Sequence, residues 1–183
     1  MLQRTLSAGF IVPCLPTKTD KLPSGSQWLH EIKHNGFRII ARKTGAQVRL
    51  YSRPGNDFTR RFPLIVDALS RLRSRSCIID GEAVACDDSG VASFDLVRHH
   101  RANESIFLYA FDLIELNGYD LRRDPLVVRK ATLGSMLAKA GSDTGGGGGL
   151  GQREMALTGK NNKPLRQPDL FFGGRNCHND VGA

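Results

Sequence analysis

The sequence predicts an α+β domain of antiparallel sheets with flanking helices over residues 1–140, and three observations predict it. Short runs of branched and aromatic residues come in pairs separated by tight turn signals. Two helical stretches, one of them with helical periodicity, lie among and after them, without the regular strand–helix alternation of a parallel sheet. The patterning stops near Gly141, where a glycine-rich segment begins.

Residues 28–33, 37–43 and 47–51 read as successive strands, broken by His34-Asn35-Gly36 and by Thr44-Gly45. Pro63 can open a helix at its first turn; Leu64, Ile65, Ala68, Leu69 and Leu72 then recur at helical spacing, with Arg71, Arg73 and Arg75 near the C-terminal end where the helix dipole favours cations. A strand over 77–85, a turn at 87–90 and a strand over 106–115 follow, the last closed by Asn117-Gly118. Residues 125–140 read as a final helix stopped by Gly141. From there to 183 the chain holds 11 of its 20 glycines, including the run Ser142-Asp143-Thr144 and five glycines, and no sustained periodicity; a disordered tail is expected.

The chain has 183 residues, of which 40% are hydrophobic and 24% charged, enough to bury a core. Its 26 Lys and Arg exceed its 18 Asp and Glu by 8, and only one unit of that excess lies in the tail, so the ordered part is the basic part and a polyanion such as nucleic acid is the expected partner. No run approaches the roughly 20 apolar residues that cross a bilayer, so no membrane association and a cytoplasmic location are expected. The four cysteines, at 14, 77, 86 and 177, make no CxxC pair and read as ordinary buried thiols, not as disulfides or a zinc site.

Four segments carry residues of chemical interest. In Glu31 to Arg38 a lysine, Lys33, ends one strand and Arg38 opens the next; Lys33 is either a solvated surface charge or an amine held in a cleft, where desolvation and neighbouring cations would free it to act as a nucleophile. In Tyr51-Ser52-Arg53 the arginine is either a phosphate ligand or a solvated turn residue. Asp80-Gly81-Glu82 sets two carboxylates into an apolar strand, which costs free energy unless they are paired, functional or at a solvated strand end. Phe111, in Tyr109-Ala110-Phe111-Asp112-Leu113, is either core or a surface on which a base stacks.

Taken together and in order, Lys33 to Arg38, Ser52-Arg53, Asp80-Gly81-Glu82 and Phe111-Asp112-Leu113 resemble the successive nucleotidyltransferase motifs of ATP-dependent DNA ligases, most closely the bacterial end-joining type, over roughly residues 10–140. The flanking words Trp28 to Glu31 and Leu108 to Gly118 extend the resemblance. It implies an adenylation domain in which Lys33 attacks the α-phosphate of ATP and becomes a lysyl-adenylate, and the AMP then passes to the 5′-phosphate of nicked DNA. It implies further that Glu82 holds the ribose, Phe111 stacks on adenine, Arg38 and Arg53 position phosphates, and Glu31 lies at the adenine end. Magnesium or another divalent cation is implied with ATP, nicked or broken duplex DNA as partner, and an end-joining protein partner is left unspecified.

Two departures from the pattern stand out. Asn35 occupies the place where the family has an aspartate before the glycine. After Ala140 the family's Glu-Gly strand, lysine pair and oligonucleotide-binding domain are not recognisable, so the expectation is a truncated or frame-altered adenylation domain with impaired sealing. The alternatives are a catalytically silent DNA-binding fragment and a gene remnant without function.

Overall fold

The computed structural model describes residues 10–15, 20, 24–25, 31, 34–87, 91–99, 106–142 and 156–157. Strands β1 (Phe37–Thr44) and β2 (Gln47–Ser52) form the expected hairpin. The free edge of β1 pairs with β3 (Ser76–Val84), and β3 pairs with β4 (Phe107–Leu116), all antiparallel. On the outer edge of β4 lie two short strands, β5 (Tyr119–Asp120) at one end and β6 (Ala156–Leu157) at the other. The sheet order is therefore β2-β1-β3-β4-β5, with β6 joined to β4. Asn117 and Gly118, at φ 54° and 95°, make the tight β4–β5 turn that an Asn-Gly pair predicts.

Side chains alternate across a strand, so the odd positions of β1 and β3, among them Ile39, Ala41, Ile79 and Ala83, point into one core. Three helices cover that face: α1 (Pro63–Ser70), α2 (Phe94–Arg98) and α3 (Leu126–Ser142) supply Ile65, Leu69, Val97 and Leu133. The even positions carry Arg38, Ile40, Asp80 and Glu82 on the other face, where Ile40, Ile78 and Ile114 form a small apolar strip. A sheet that is apolar on one side and polar at the centre of the other presents its charged residues as a platform.

Two glycines let the strands come close enough for that platform. A Cβ on Gly36 would stand 2.1 Å from the Ala83 carbonyl oxygen, and one on Gly81 would stand 2.6 Å from the Tyr109 carbonyl oxygen and 2.9 Å from a Leu108 methyl. All three contacts are shorter than a real Cβ accepts, so the glycine between Asp80 and Glu82 is a steric requirement.

Several expectations need correction. Helix α1 ends at Ser70, capped by Arg71, so Arg71, Arg73 and Arg75 lie beyond its last turn, exposed. Helix α2, of five residues, is too short to show periodicity, and neither two-residue strand had a sequence signal. Cys77 and Cys86 are free thiols, and burial pushes the Cys77 thiol up to about 11, but Cys14 is disulfide-bonded, against the expectation of a free thiol. Of the expected strand over 28–33 only Glu31 is described, and of the segment 141–183 only the end of α3 and β6; the other residues of both lie outside the described ones. No described helix is long and apolar enough to cross a membrane.

Gly81→Ala is expected to lower stability by about 1 to 3 kcal/mol, the usual cost of forcing an extra methyl into packed surroundings. For a chain of this size that corresponds to a fall in Tm of roughly 2 to 4 °C per kcal/mol in a thermal melt. An unchanged melting temperature would mean that the β3–β4 spacing is not what demands glycine.

Candidate functional site

The β1–β3 register sets Arg38 opposite Glu82 and Ile40 opposite Asp80. Between β3 and β4 it runs Glu82 opposite Tyr109, Gly81 opposite Ala110, then Asp80 opposite Asp112, so Phe111 is the additional residue of a β-bulge. A bulge re-aims a side chain, and here it brings the Phe111 ring under Arg38, whose guanidinium carbon is 4.2 Å from the ring centroid.

Arg38 is fixed by a two-pronged ion pair: its Nε donates to Asp80 Oδ1 at 2.7 Å and its Nη2 to Oδ2 at 2.8 Å. The same Nη2 donates to the Cys14 carbonyl at 3.3 Å. Burial raises the Asp80 pKa above its ordinary value; the Arg38 guanidinium pulls it back, and the nearby Asp112 charge pushes it up again. Glu82 Oε1 accepts the Gly36 N–H at 2.8 Å, tying β3 to the turn that precedes β1.

Helix α3 reaches the same place with two consecutive residues. Arg129, fully buried, donates from Nε and Nη2 to the two Asp112 oxygens at 2.8 and 3.0 Å, and from Nη1 to the carbonyls of Asp124 at 2.7 Å and Arg122 at 3.2 Å. Lys130 Nζ donates to the Phe111 carbonyl at 2.6 Å and forms an ion pair with Glu31. On the neighbouring position of β4 the Tyr109 ring meets the His34 ring, centroids 4.0 Å apart. Desolvation lowers the His34 pKa from its ordinary 6.5, and its Nε2 is buried with no hydrogen-bond partner among the described residues.

Of the six residues singled out in the sequence, Arg38, Glu82 and Phe111 come together on the sheet, and Glu31 joins them through Lys130. Arg53 is exposed just past the end of β2, and no contact joins it to this cluster among the described residues. Lys33 lies outside the described residues. The sequence reading missed Asp112, Arg129 and Lys130. Asp112 carried a signal, an acid in an apolar strand that must find a cation, but nothing local said which one.

An aromatic ring, a cation beside it and a carboxylate one strand away suit a planar, hydrogen-bonding, anionic ligand. Among the described residues no group of three or more His, Cys, Asp or Glu is placed to hold a metal ion. Residues 16–144 match the model of the ATP dependent DNA ligase domain. The chain belongs to that family. It is similar to the multifunctional non-homologous end joining protein LigD of Pseudomonas aeruginosa, with 34% identity over 131 residues that make up 70% of this chain and 16% of that protein. The crystal structure of the ligase domain from M. tuberculosis LigD shares its fold at a TM-score of 0.55 and 27% identity, covering 82% of this chain and 43% of the solved one. A mycobacterial DNA ligase D complexed with ATP and MES matches at a TM-score of 0.54 and 27% identity, over 82% of this chain and 42% of that one. The chain thus spans less than half of each relative, and within that span the ligase domain has the antiparallel sheet and flanking helices expected of it.

Arg129→Met is expected to destabilise the ligase domain by about 3 to 5 kcal/mol in denaturant titration, because it leaves the Asp112 carboxylate buried without its cation. The double variant Asp112→Leu/Arg129→Met should recover much of that loss. Failure to recover would show that the arginine's carbonyl contacts matter more than the ion pair.

The pH dependence follows from His34. Its folded pKa lies below 6.5, so between the two values the unfolded chain binds more protons than the folded one, and stability falls as pH drops below about 6.5. His34→Phe should flatten this limb in unfolding experiments run between pH 7.5 and 5.5. An equal slope in the variant would assign the limb to other groups.

Proposed function

We propose that this chain carries nucleotide chemistry of the ATP-dependent DNA ligase type, in which Lys33 takes AMP from ATP to form a lysyl-adenylate and the AMP is destined for the 5′-phosphate of nicked or broken duplex DNA. The observation that supports it is the convergence of Arg38, Glu82 and Phe111 on one face of the sheet, in strand register, with Glu31 tied to the same point. In this reading Phe111 offers its ring to the base, Glu82 accepts from the sugar, and Arg38 and Arg53 neutralise phosphate charge, Arg53 from the exposed end of β2. The solved relative complexed with ATP makes ATP the nucleotide of choice.

Phosphoryl transfer depends mostly on positioning and charge neutralisation, and a divalent cation such as magnesium would supply part of that charge. Magnesium keeps few protein ligands and is commonly carried by the phosphates themselves, so the described residues need not form a cage for it. The net charge of +8 supports a polyanionic partner equally well, which keeps a silent DNA-binding fragment as the second reading.

Incubating the purified chain with α-labelled ATP and magnesium tests the proposal. A labelled protein band is expected, abolished by Lys33→Ala. Absence of label at every ATP concentration, with DNA binding retained, would favour the second reading; label surviving in Lys33→Ala would assign the nucleophile elsewhere.

A further inference from the structure

We propose that Lys130 is a positioning residue for the base-binding end of the site: its ammonium fixes the Glu31 carboxylate and the Phe111 main chain relative to each other. The inference deepens the nucleotide reading above and rests on it. Phe111 is the bulged residue of β4, with no partner on β3, so its carbonyl needs a donor from elsewhere. Lys130 supplies it at 2.6 Å and at the same time pairs with Glu31, 99 residues away in sequence. The neighbouring Arg129 holds the next residue of β4, Asp112, so α3 clamps two successive strand residues with two successive cations. One ammonium thereby sets the distance from the ring on which a base would stack to an acceptor-only carboxylate beside it.

An ionised carboxylate accepts hydrogen bonds and cannot donate them. Held beside a stacked purine, it favours an exocyclic amino group and repels an exocyclic carbonyl oxygen. Lys130 holds the Glu31 carboxylate in place. Without it the carboxylate loses its fixed position and the bulge its anchor, so base recognition weakens before the transfer step does.

The test uses the full 183-residue chain and measures label transfer from α-labelled ATP and GTP across nucleotide concentrations, with a melting curve for each variant. Lys130→Met is expected to raise the ATP concentration for half-maximal labelling about tenfold, the equivalent of one charge-assisted hydrogen bond of about 1.4 kcal/mol, while the maximal rate changes less. Its preference for ATP over GTP should narrow, and Lys130→Arg should restore most of both. If Lys130→Met does not fold, Lys130→Gln, which keeps a donor of similar reach without the charge, must show the same shift. A folded variant with unchanged half-saturation and unchanged ATP/GTP preference, or one that loses only maximal rate, overturns the proposal. A fluorescent ATP analogue separates the two readings. If the wild-type chain binds it without being labelled, the transfer reading fails and the analogue's Kd in Lys130→Met decides the role of Lys130; if the wild-type chain does not bind it, both fail.

Discussion

Two aspartates face each other across the middle of the sheet, Asp80 on β3 and Asp112 on β4, and most of what surrounds them follows from keeping both buried. Like charges on directly opposed strand positions repel, and in a low-dielectric interior neither carboxylate can rely on water. Each has been given its own arginine, from a different element. Arg38 comes from the adjacent strand and Arg129 from α3, both gripping two carboxylate oxygens. The first pairing fixes a guanidinium over the Phe111 ring; the second docks the start of α3 against β4. The platform and the helix that braces it are thus two answers to one electrostatic problem.

This explains an inversion in α3. Its first turn exposes Val127 and Val128, at 60% and 50%, and buries Arg129, at 2%. A helix docked by an apolar stripe would do the opposite. Here the first turn is oriented by the Arg129–Asp112 pair and by the two carbonyls that Arg129 also reaches, and only further along do Leu133, Met136 and Leu137 join the core. Polar docking at one end and apolar docking at the other leave the helix little rotational freedom, which is what allows Lys130 to arrive at a single carbonyl.

The same inversion marks where sequence reasoning stops. The strands near 37–43 and 77–85 and the Asn-Gly turn were legible because they are local: a run of branched and aromatic residues and a turn's φ angles are written in adjacent residues. Arg38, Glu82 and Phe111 were legible because the family resemblance orders them, and the register then brings them together. Arg129 and Lys130 were not, since nothing local in Val-Val-Arg-Lys says that the acid on β4 buries the arginine and leaves the valines exposed. Glu31 and Lys130 are linked only in three dimensions. The α2 helix and the strands β5 and β6 are too short for a pattern to repeat, and Lys33, central to the sequence reading, lies outside the described residues.

Under the proposed nucleotide reading, the Arg38–Phe111 stack also constrains how a base would use the ring. One face of Phe111 is covered by a guanidinium whose two donors are engaged by a buried carboxylate, so swinging the arginine away would leave the Asp80 charge uncompensated inside the sheet. The lower-cost arrangement keeps Arg38 where it is and would place the base of the proposed nucleotide on the ring's other face. Under the proposed nucleotide reading, that arrangement would require no rearrangement of the charged centre and would keep the preorganised cation beside the ligand, where a fixed positive charge is effective in neutralising phosphate. The burial of Asp80, unfavourable taken alone, is therefore what holds the arginine ready.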